Sequence, residues 1–221
     1  MPGEDSNETT RSRNNRPRVM LNPSCQYGNQ IFDEAGGELY NEGHVMWLFA
    51  LAVKRELDKD GRVESFISRD SQHGESDLDA EAALTNRLGC DCLVALHSDA
   101  TPDGTPGGGT WTFYTGSSHL SSEEKSSLKY PLGRSFRLAE LVQSHTLQAI
   151  RSVYPEVENR GVREHWHRLR MLHAPECPSC LIEILFHTNP IERELLKDNA
   201  FQERVGRAIS EAILTFVAEV S

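Results

Sequence analysis

Residues 180–189 read CLIEILFHTN, a short apolar run that carries a single carboxylate, Glu183. A continuous apolar run of this length is typical of a strand that helices cover on both faces. An ionised carboxylate inside such a strand costs several kcal/mol unless it is paired, hydrogen-bonded or bound to a metal. Glu183 therefore either belongs to a functional site or, if the strand alternates, faces solvent.

Strands and amphipathic helices alternate along the rest of the chain. Apolar runs predict strands at residues 18–22, 62–67, 92–97 and 110–114, the last at a sheet edge. Apolar residues at helical spacing predict helices at residues 42–57, 76–88, 134–153, 191–196 and 201–220. Loops are predicted at residues 23–41 and 115–133, and the segments 159–162 and 169–172 lead into the Glu183 strand. This alternation predicts an α/β fold, in which one domain has a mostly parallel central sheet with helices on both faces.

The composition indicates a globular protein of 221 residues, with 25% charged and 38% hydrophobic residues. No apolar run approaches the roughly 20 residues needed to span a membrane. The net charge of -10 argues against a nucleic-acid partner. Residues 1–17 are polar and resemble no secretory signal, so we expect a disordered tail before a domain at residues 18–221. We also expect a monomer that stays cytoplasmic until it is released.

The chain has five cysteines, Cys25, Cys90, Cys92, Cys177 and Cys180. An odd number without a signal peptide favours thiols over a disulfide framework. The last four could make a four-thiolate zinc site. The alternative is that they are buried thiols, which behave as small apolar side chains.

Polar residues follow several of the predicted strands. Cys25 and Gln26 follow the first strand, His97 ends another, and Glu183 lies in the run described above. Because parallel strands end at one edge of a sheet, we expect these side chains to converge there, with Glu42 in the first turn of a helix. A catalytic zinc site needs three protein ligands, an open position for water and a nearby general base. Each residue also has a purely structural explanation, as a capping acid, a hydrogen-bonded histidine or a buried thiol.

A series of motifs occurs in a fixed order. They are residues 22–25 (NPSC), Glu42 at a helix start, 68–70 (SRD), 85–86 (TN), 96–99 (LHSD), 159–162 (NRGV) and 181–190 (LIEILFHTNP). Their order resembles the amidase 3 family of zinc-dependent N-acetylmuramoyl-L-alanine amidases, which cleave peptidoglycan between the lactyl group of N-acetylmuramic acid and L-Ala. The resemblance covers residues 18–220.

The resemblance implies a role for each matching residue. Glu42 and His97 would be zinc ligands. Glu183 would be the catalytic carboxylate, which takes a proton from the attacking water and gives it to the leaving amine. Arg160 would bind the substrate or its developing oxyanion. The partner would be the muropeptide stem of peptidoglycan.

Two positions depart from the family pattern. The family's first ligand is His, whereas this chain has Cys25 there, within an N-P-S-x-Q pattern that marks a divergent branch. Cys25 is a sound zinc ligand, the Gln26 carbonyl is the alternative, and a site without a third ligand is the remaining possibility. Asp99 replaces the asparagine of the family's H-x-N motif, and its expected role is in substrate binding.

Other functions are also compatible with the sequence. A metal-free pseudo-amidase would bind peptidoglycan or act as a regulatory module. A zinc carboxypeptidase would need an arginine for the substrate carboxylate, either Arg69 or Arg163. As an amidase, the protein would be a phage endolysin or a bacterial cell-wall hydrolase. His44 and His187 lie near the predicted site, as metal ligands or as supporting residues.

Overall fold

The computed structural model describes residues 16–25, 29–73, 76–116, 118, 120–131, 133–165 and 169–219. Of the predicted N-terminal tail, residues 1–15 lie outside this part of the chain. The strands and helices follow in this order: β1 (Arg18–Pro23), β2 (Gln30–Phe32), β3 (Glu38–Asn41), α1 (Glu42–Asp60), β4 (Glu64–Ile67), α2 (Leu78–Leu88), β5 (Cys92–Asp99), β6 (Thr110–Tyr114), α3 (Ser122–Ser127), α4 (Gly133–Arg151), β7 (Asn159–Glu164), α5 (Arg170–His173), β8 (Ser179–Phe186), α6 (Pro190–Lys197) and α7 (Asn199–Ala218).

The central sheet has six strands in the order β4-β1-β5-β8-β6-β7. The first four strands in that order are parallel to one another. β6 runs antiparallel to β8 and parallel to β7. The predicted mostly parallel sheet is therefore confirmed. The predicted edge position of β6 is wrong, because β7 pairs with its outer side.

Residues on the two faces of the sheet pack into separate cores, so helices cover both faces as predicted. Leu21, Val94 and Ile182 pack with residues of α1, α4 and α7. Met20 and Leu93, one position away along their strands, pack with residues of α2 and α5 on the opposite face. This alternation follows from the two-residue period of a strand. Among the described residues, no helix is long and apolar enough to cross a membrane.

Three local elements differ from the prediction. The predicted loop at residues 23–41 contains the hairpin β2–β3, whose turn forms because Asp33 Oδ1 accepts hydrogen bonds from the backbone N–H groups of Ala35 and Gly37. Gly36 has a φ of 83°, which favours glycine. The predicted loop at residues 115–133 contains α3, and α5 replaces part of the segment at 169–172. All of these elements are too short to show a clear period.

Helix α1 positions the first residue of the site. The Asn41 side chain caps the helix by accepting a hydrogen bond from the His44 backbone N–H, which places Glu42 in the first turn. The helix ends at Gly61, which has a φ of 80° and donates its N–H to the Leu57 carbonyl. The helix is therefore three residues longer than the predicted 42–57, because the polar last turn carries no apolar signal.

Of the two possibilities for the last four cysteines of the chain, the buried thiols are present: among the described residues, no three or more His, Cys, Asp or Glu side chains are arranged to hold a metal. Cys92 and Cys180 lie in the core under α1, α4 and α7, whereas Cys90 and Cys177 lie in the core on the opposite face. Burial raises the pKa of the Cys90 thiol to about 12. All five cysteines are thiols, and these four are buried. They act as small apolar side chains.

Helices α1 and α7 approach each other closely at Gly206, which predicts an effect on stability. A Cβ on Gly206 would lie 2.6 Å from the Cβ of Ala52 and 3.1 Å from the Val53 backbone nitrogen. We expect Gly206→Ala to lower the free energy of unfolding by about 1–2 kcal/mol, because two rigid backbones must separate. Chemical denaturation measures this loss. Gly133→Ala is the control, since a Cβ there meets nothing within 4 Å; an equal loss in both variants would contradict the packing argument.

Candidate active site

The carboxyl ends of β5 and β8 bring two of the predicted residues together, and α1 adds a third. His97 and Glu183 are register partners on these adjacent strands, so their side chains share one face of the sheet. Glu42 Oε1 lies 3.3 Å from His97 Nδ1. The Glu42 charge also acts on Glu183. The convergence expected from strand direction is therefore present for His97, Glu183 and Glu42.

Glu42 is fully buried, yet its environment favours the ionised form. Its Oε2 accepts a hydrogen bond of 2.5 Å from Asn29 Nδ2, and its Oε1 accepts one of 3.1 Å from the Ser98 backbone N–H. Burial acts to raise the pKa of Glu42, but the hydrogen bond and charge of His97, with the bonds from Asn29 and Ser98, lower it below its ordinary value. Glu42 is thus a negatively charged group held in a fixed orientation.

Glu183 has the opposite electrostatic environment. The residue is partly accessible, but its Oε2 atom is buried and has no hydrogen-bond partner among the described residues. Burial raises the pKa of Glu183 well above its ordinary value, and the charges of Asp99 and Glu42 raise it further. A carboxyl group with a raised pKa is suited to accept a proton and hold it.

Asp99 lies at the end of β5, beside Glu183. Its Oδ1 accepts a hydrogen bond of 2.7 Å from the Ala100 backbone N–H, whereas its Oδ2 is buried without a hydrogen bond from any described residue. Burial raises the pKa of Asp99, partly offset by Ala100 and by the neighbouring Trp111 and Arg160. Asp99 therefore places a second carboxyl group on the same side of the sheet as the proposed base.

Cys25 lines a cavity next to the site. Its Sγ is 3.2 Å from the position that a Cβ on Gly43 would take, which places the thiol against the start of α1. Cys25 and His97 both line a cavity of about 230 Å³, together with Asn22 and Ser24. Gln26, the alternative third ligand, lies outside the described residues.

The donors fit a zinc ion in chemical type but only partly in arrangement. Glu42, His97 and Cys25 offer the oxygen, nitrogen and sulfur atoms that zinc binds. The buried, unpaired Oε2 of Glu183 indicates a site that lacks a positively charged or proton-donating group. In the part of the chain that the structure describes, however, no set of three or more His, Cys, Asp or Glu side chains is arranged to hold a metal. Glu42 and His97 are in contact, and Cys25 is not arranged with them as a third ligand.

Arg69 is not available for a substrate carboxylate, so that candidate role is wrong. All of its side-chain nitrogens donate to backbone carbonyl groups, those of Pro23, Ser24, Gly43, Ser71 and Gln72. Its guanidinium carbon lies 5.1 Å from the centre of the Trp47 ring. A guanidinium has five N–H donors, and these bonds use the group fully. Arg69 instead holds the loop after β1 against α1.

Arg160, the predicted substrate-binding residue, packs beside the Glu183 strand. Its guanidinium carbon lies 5.0 Å from the centre of the Trp111 ring and 4.5 Å from that of Phe186. Trp111 is the register partner of Glu183 on the antiparallel strand β6. Arg160 is therefore brought close to the site by the pairing of β7, β6 and β8.

The two histidines near the site have different environments. His187 is buried, and its Nδ1 lies 3.0 Å from both the Oγ and the carbonyl oxygen of Ser98. Its ring stacks on Tyr40 with the centroids 5.0 Å apart, and burial lowers its pKa. It therefore supports the backbone next to His97. His44 lies 3.8 Å from Glu38 and contacts the His73 ring.

Sequence reasoning missed a buried carboxylate, Glu81 of α2. It accepts hydrogen bonds from Asn22 Nδ2, from Ser68 Oγ at 2.6 Å and from Ser76 Oγ at 2.8 Å. The first two donors lie in motifs noted in the sequence, at the end of β1 and after β4. Only the fold shows that Asn22 and Ser68 both donate to Glu81. These hydrogen bonds hold the ends of β1 and β4 together beside the cavity.

Comparison with known proteins relates this geometry to a family. Residues 26–215 match the family described as N-acetylmuramoyl-L-alanine amidase. The chain is 26% identical over 230 residues to N-acetylmuramoyl-L-alanine amidase AmiC of Neisseria meningitidis serogroup B, which covers 94% of this chain and 54% of that protein. The chain thus spans about half the length of this curated relative.

Solved structures share the fold. The crystal structure of N-acetylmuramoyl-L-alanine amidase from Clostridium difficile 630 has a TM-score of 0.75 at 21% identity, covering 94% of this chain and 100% of that one. AmiC2 of Nostoc punctiforme has a TM-score of 0.72 at 20% identity, covering 91% of this chain and 97% of that one. With the family match across most of its length, the chain belongs to the N-acetylmuramoyl-L-alanine amidase family.

Proposed function

We propose that the chain is a zinc-dependent hydrolase that cleaves the amide between N-acetylmuramic acid and L-Ala in peptidoglycan. The observation that carries this proposal is the juxtaposition of the Glu42–His97 pair, 3.3 Å apart, with the unpaired buried Oε2 of Glu183. A negatively charged donor and an imidazole suit a metal, and a carboxyl group with a raised pKa suits a general base. The proposed substrate places its action at the cell wall, as an endolysin or as a wall-remodelling enzyme.

In the proposed reaction, different residues bind the metal and transfer the proton. Glu42 and His97 would hold the zinc ion, with Cys25 as the proposed third ligand. When bound, zinc polarises the scissile carbonyl and acidifies water. Glu183 takes a proton from the water that attacks this carbonyl. It then returns the proton to the amine of L-Ala as the C–N bond breaks, which is why a raised pKa is useful.

A specific observation favours a second function, a metal-free pseudo-amidase that binds peptidoglycan. Cys25 stands where the family has its first ligand, and the described residues contain no arranged set of three or more donors. The metal content of purified protein, measured together with clearing of a peptidoglycan suspension, separates the two functions. One zinc per chain and chelator-sensitive clearing support the amidase. Protein that binds no zinc and clears nothing supports the pseudo-amidase.

Replacement of Cys25 tests the proposed third ligand. We expect Cys25→Ser to raise the dissociation constant for zinc by at least about a hundredfold, since loss of supporting residues alone costs 10- to 100-fold. Gln26→Ala is the matched control and should have a much smaller effect. Competition with a zinc-binding dye measures both constants. Equal effects, or a larger effect of the Gln26 variant, would remove Cys25 from the ligand set.

A further inference from the structure

The face of the sheet that carries Glu183 continues to the edge strand β7. Trp111 lies directly opposite Glu183 in an antiparallel pair, so the two side chains share this face. The guanidinium carbon of Arg163, on β7, lies 4.9 Å from the centre of the Trp111 ring. A continuous row therefore runs from His97 through Glu183 and Trp111 to Arg163 across four strands.

The two arginines beside Trp111, Arg160 and Arg163, differ in whether carboxylates lie near them. Arg160 lies 3.4 Å from Glu158, and its charge also acts on Asp99 and Glu192. Arg163 is exposed, and no ion pair joins it to a carboxylate among the described residues. Its Nε donates to the Arg160 carbonyl at 3.3 Å, which together with the indole ring restricts the side chain. Arg163 thus offers a positioned positive charge.

A guanidinium held over an aromatic ring is suited to bind a carboxylate. Arg163 also differs from Arg69, whose donors are all used by backbone carbonyls.

The distance across the sheet indicates which carboxylate it would reach. Arg163 pairs with Phe113, two positions from Trp111, but its guanidinium reaches back over the Trp111 ring. One strand, β6, separates β8 from β7, so this guanidinium lies about 10 Å across the sheet from the Glu183 strand. In a stem peptide bound with its scissile amide at Glu183, the second residue follows L-Ala by one Cα–Cα step of about 3.8 Å. Its α-carboxylate and a hydrogen bond of about 2.9 Å span the remainder.

We propose that Arg163, held on Trp111, binds the free α-carboxylate of the second residue of the stem peptide and so selects stems in which this group is not amidated. This inference rests on the proposed amidase function and adds substrate selection to it. The subsite acts in substrate binding, so it lowers KM and leaves kcat unchanged.

The test uses two N-acetylmuramoyl tripeptides that differ only in an α-carboxylate or an α-carboxamide on the second residue. With zinc present, we expect the protein to hydrolyse the carboxylate form with a KM about tenfold lower, the effect of one hydrogen bond to a charged group. Arg163→Gln should remove this preference by raising KM for the carboxylate form alone. Arg163→Lys should restore part of it. Arg151→Gln, at an exposed arginine that ends α4, is the control and should keep the preference.

Binding to the Glu183→Gln variant separates failure of this inference from failure of the proposed function. Calorimetry on the Glu183→Gln variant should show a dissociation constant about tenfold lower for the carboxylate ligand than for the carboxamide ligand. When Arg163→Gln is added to this variant, the two dissociation constants should become equal. Equal binding of the two ligands, or an equal loss for both on Arg163→Gln, would overturn the subsite. A protein that binds the carboxylate form selectively but hydrolyses neither would keep the subsite and refute the amidase. A preference that follows Trp111→Ala but not Arg163→Gln would indicate sugar stacking on the ring instead, and would also overturn the proposal.

Discussion

Glu183→Gln is expected to reduce amide hydrolysis by about a thousandfold or more, the range in which a general acid–base group contributes. Glutamine keeps the shape of the side chain but cannot accept the proton of the attacking water or return it to the leaving amine. Glu42, His97 and Cys25 are unchanged, so bound zinc should remain. Release of free amino groups from purified peptidoglycan measures the rate, and elemental analysis measures the metal.

Glu194→Gln is the matched control, because it makes the same chemical change at an exposed position on α6. It should hydrolyse peptidoglycan at the unmodified rate. If Glu183→Gln retained more than about a tenth of the activity, Glu183 would not be the base. If it lost zinc together with activity, the loss would have a different cause.

The same substitution is expected to stabilise the metal-free protein. The Oε2 atom of Glu183 is buried without a hydrogen-bond partner among the described residues, and Asp99 and Glu42 add like charge. Burying an ionised carboxylate without a partner costs at least as much as burying a neutral polar group, on the order of 1–3 kcal/mol or more. Glutamine removes the ionisation, so the free energy of unfolding should rise by about this amount at pH 8.

The sign of the pH dependence follows from the protons bound in each state. Because the pKa of Glu183 is raised in the folded protein, the folded chain keeps a proton that the unfolded chain loses above the ordinary carboxyl pKa of about 4.3. Stability of the unmodified protein therefore falls as pH rises from there toward the raised pKa. The advantage of Glu183→Gln should be small near pH 4 and largest near pH 8.

Urea denaturation of the chelator-treated proteins at both pH values measures this difference. Glu194→Gln should change the free energy of unfolding by less than about 0.5 kcal/mol at either pH, as expected for an exposed site. A stability gain that did not depend on pH, or a loss at pH 8, would contradict the electrostatic assignment. A gain would show that the site is maintained at the expense of stability, which is common for catalytic groups.

The parts of the fold that sequence could predict are those with a clear period. The apolar runs of β5 and β8 and the helical spacing of α1 and α7 indicated both element type and approximate bounds. Strand direction then predicted that His97 and Glu183 meet, and the register pairs them directly. In this way local patterns and one rule about parallel sheets were enough to predict that these two residues lie side by side.

The remaining features depend on contacts between residues far apart in sequence. The antiparallel pairing of β6 with β8 places Trp111 opposite Glu183. No short stretch of the sequence indicates this pairing. The five bonds of Arg69 and the three-donor environment of Glu81 involve residues from several elements, so no single stretch reveals them. The position of Cys25 likewise depends on the packing of the loop after β1 against the start of α1.

The central claim is zinc-dependent cleavage at the bond between N-acetylmuramic acid and L-Ala, and analysis of the new end groups of digested peptidoglycan tests it most directly. We expect new amino-terminal L-Ala without new reducing sugar ends. This release should be lost after chelation and should recover when zinc is restored. Release of reducing ends, release of other amino termini, or release of L-Ala that is unaffected by chelation would contradict it.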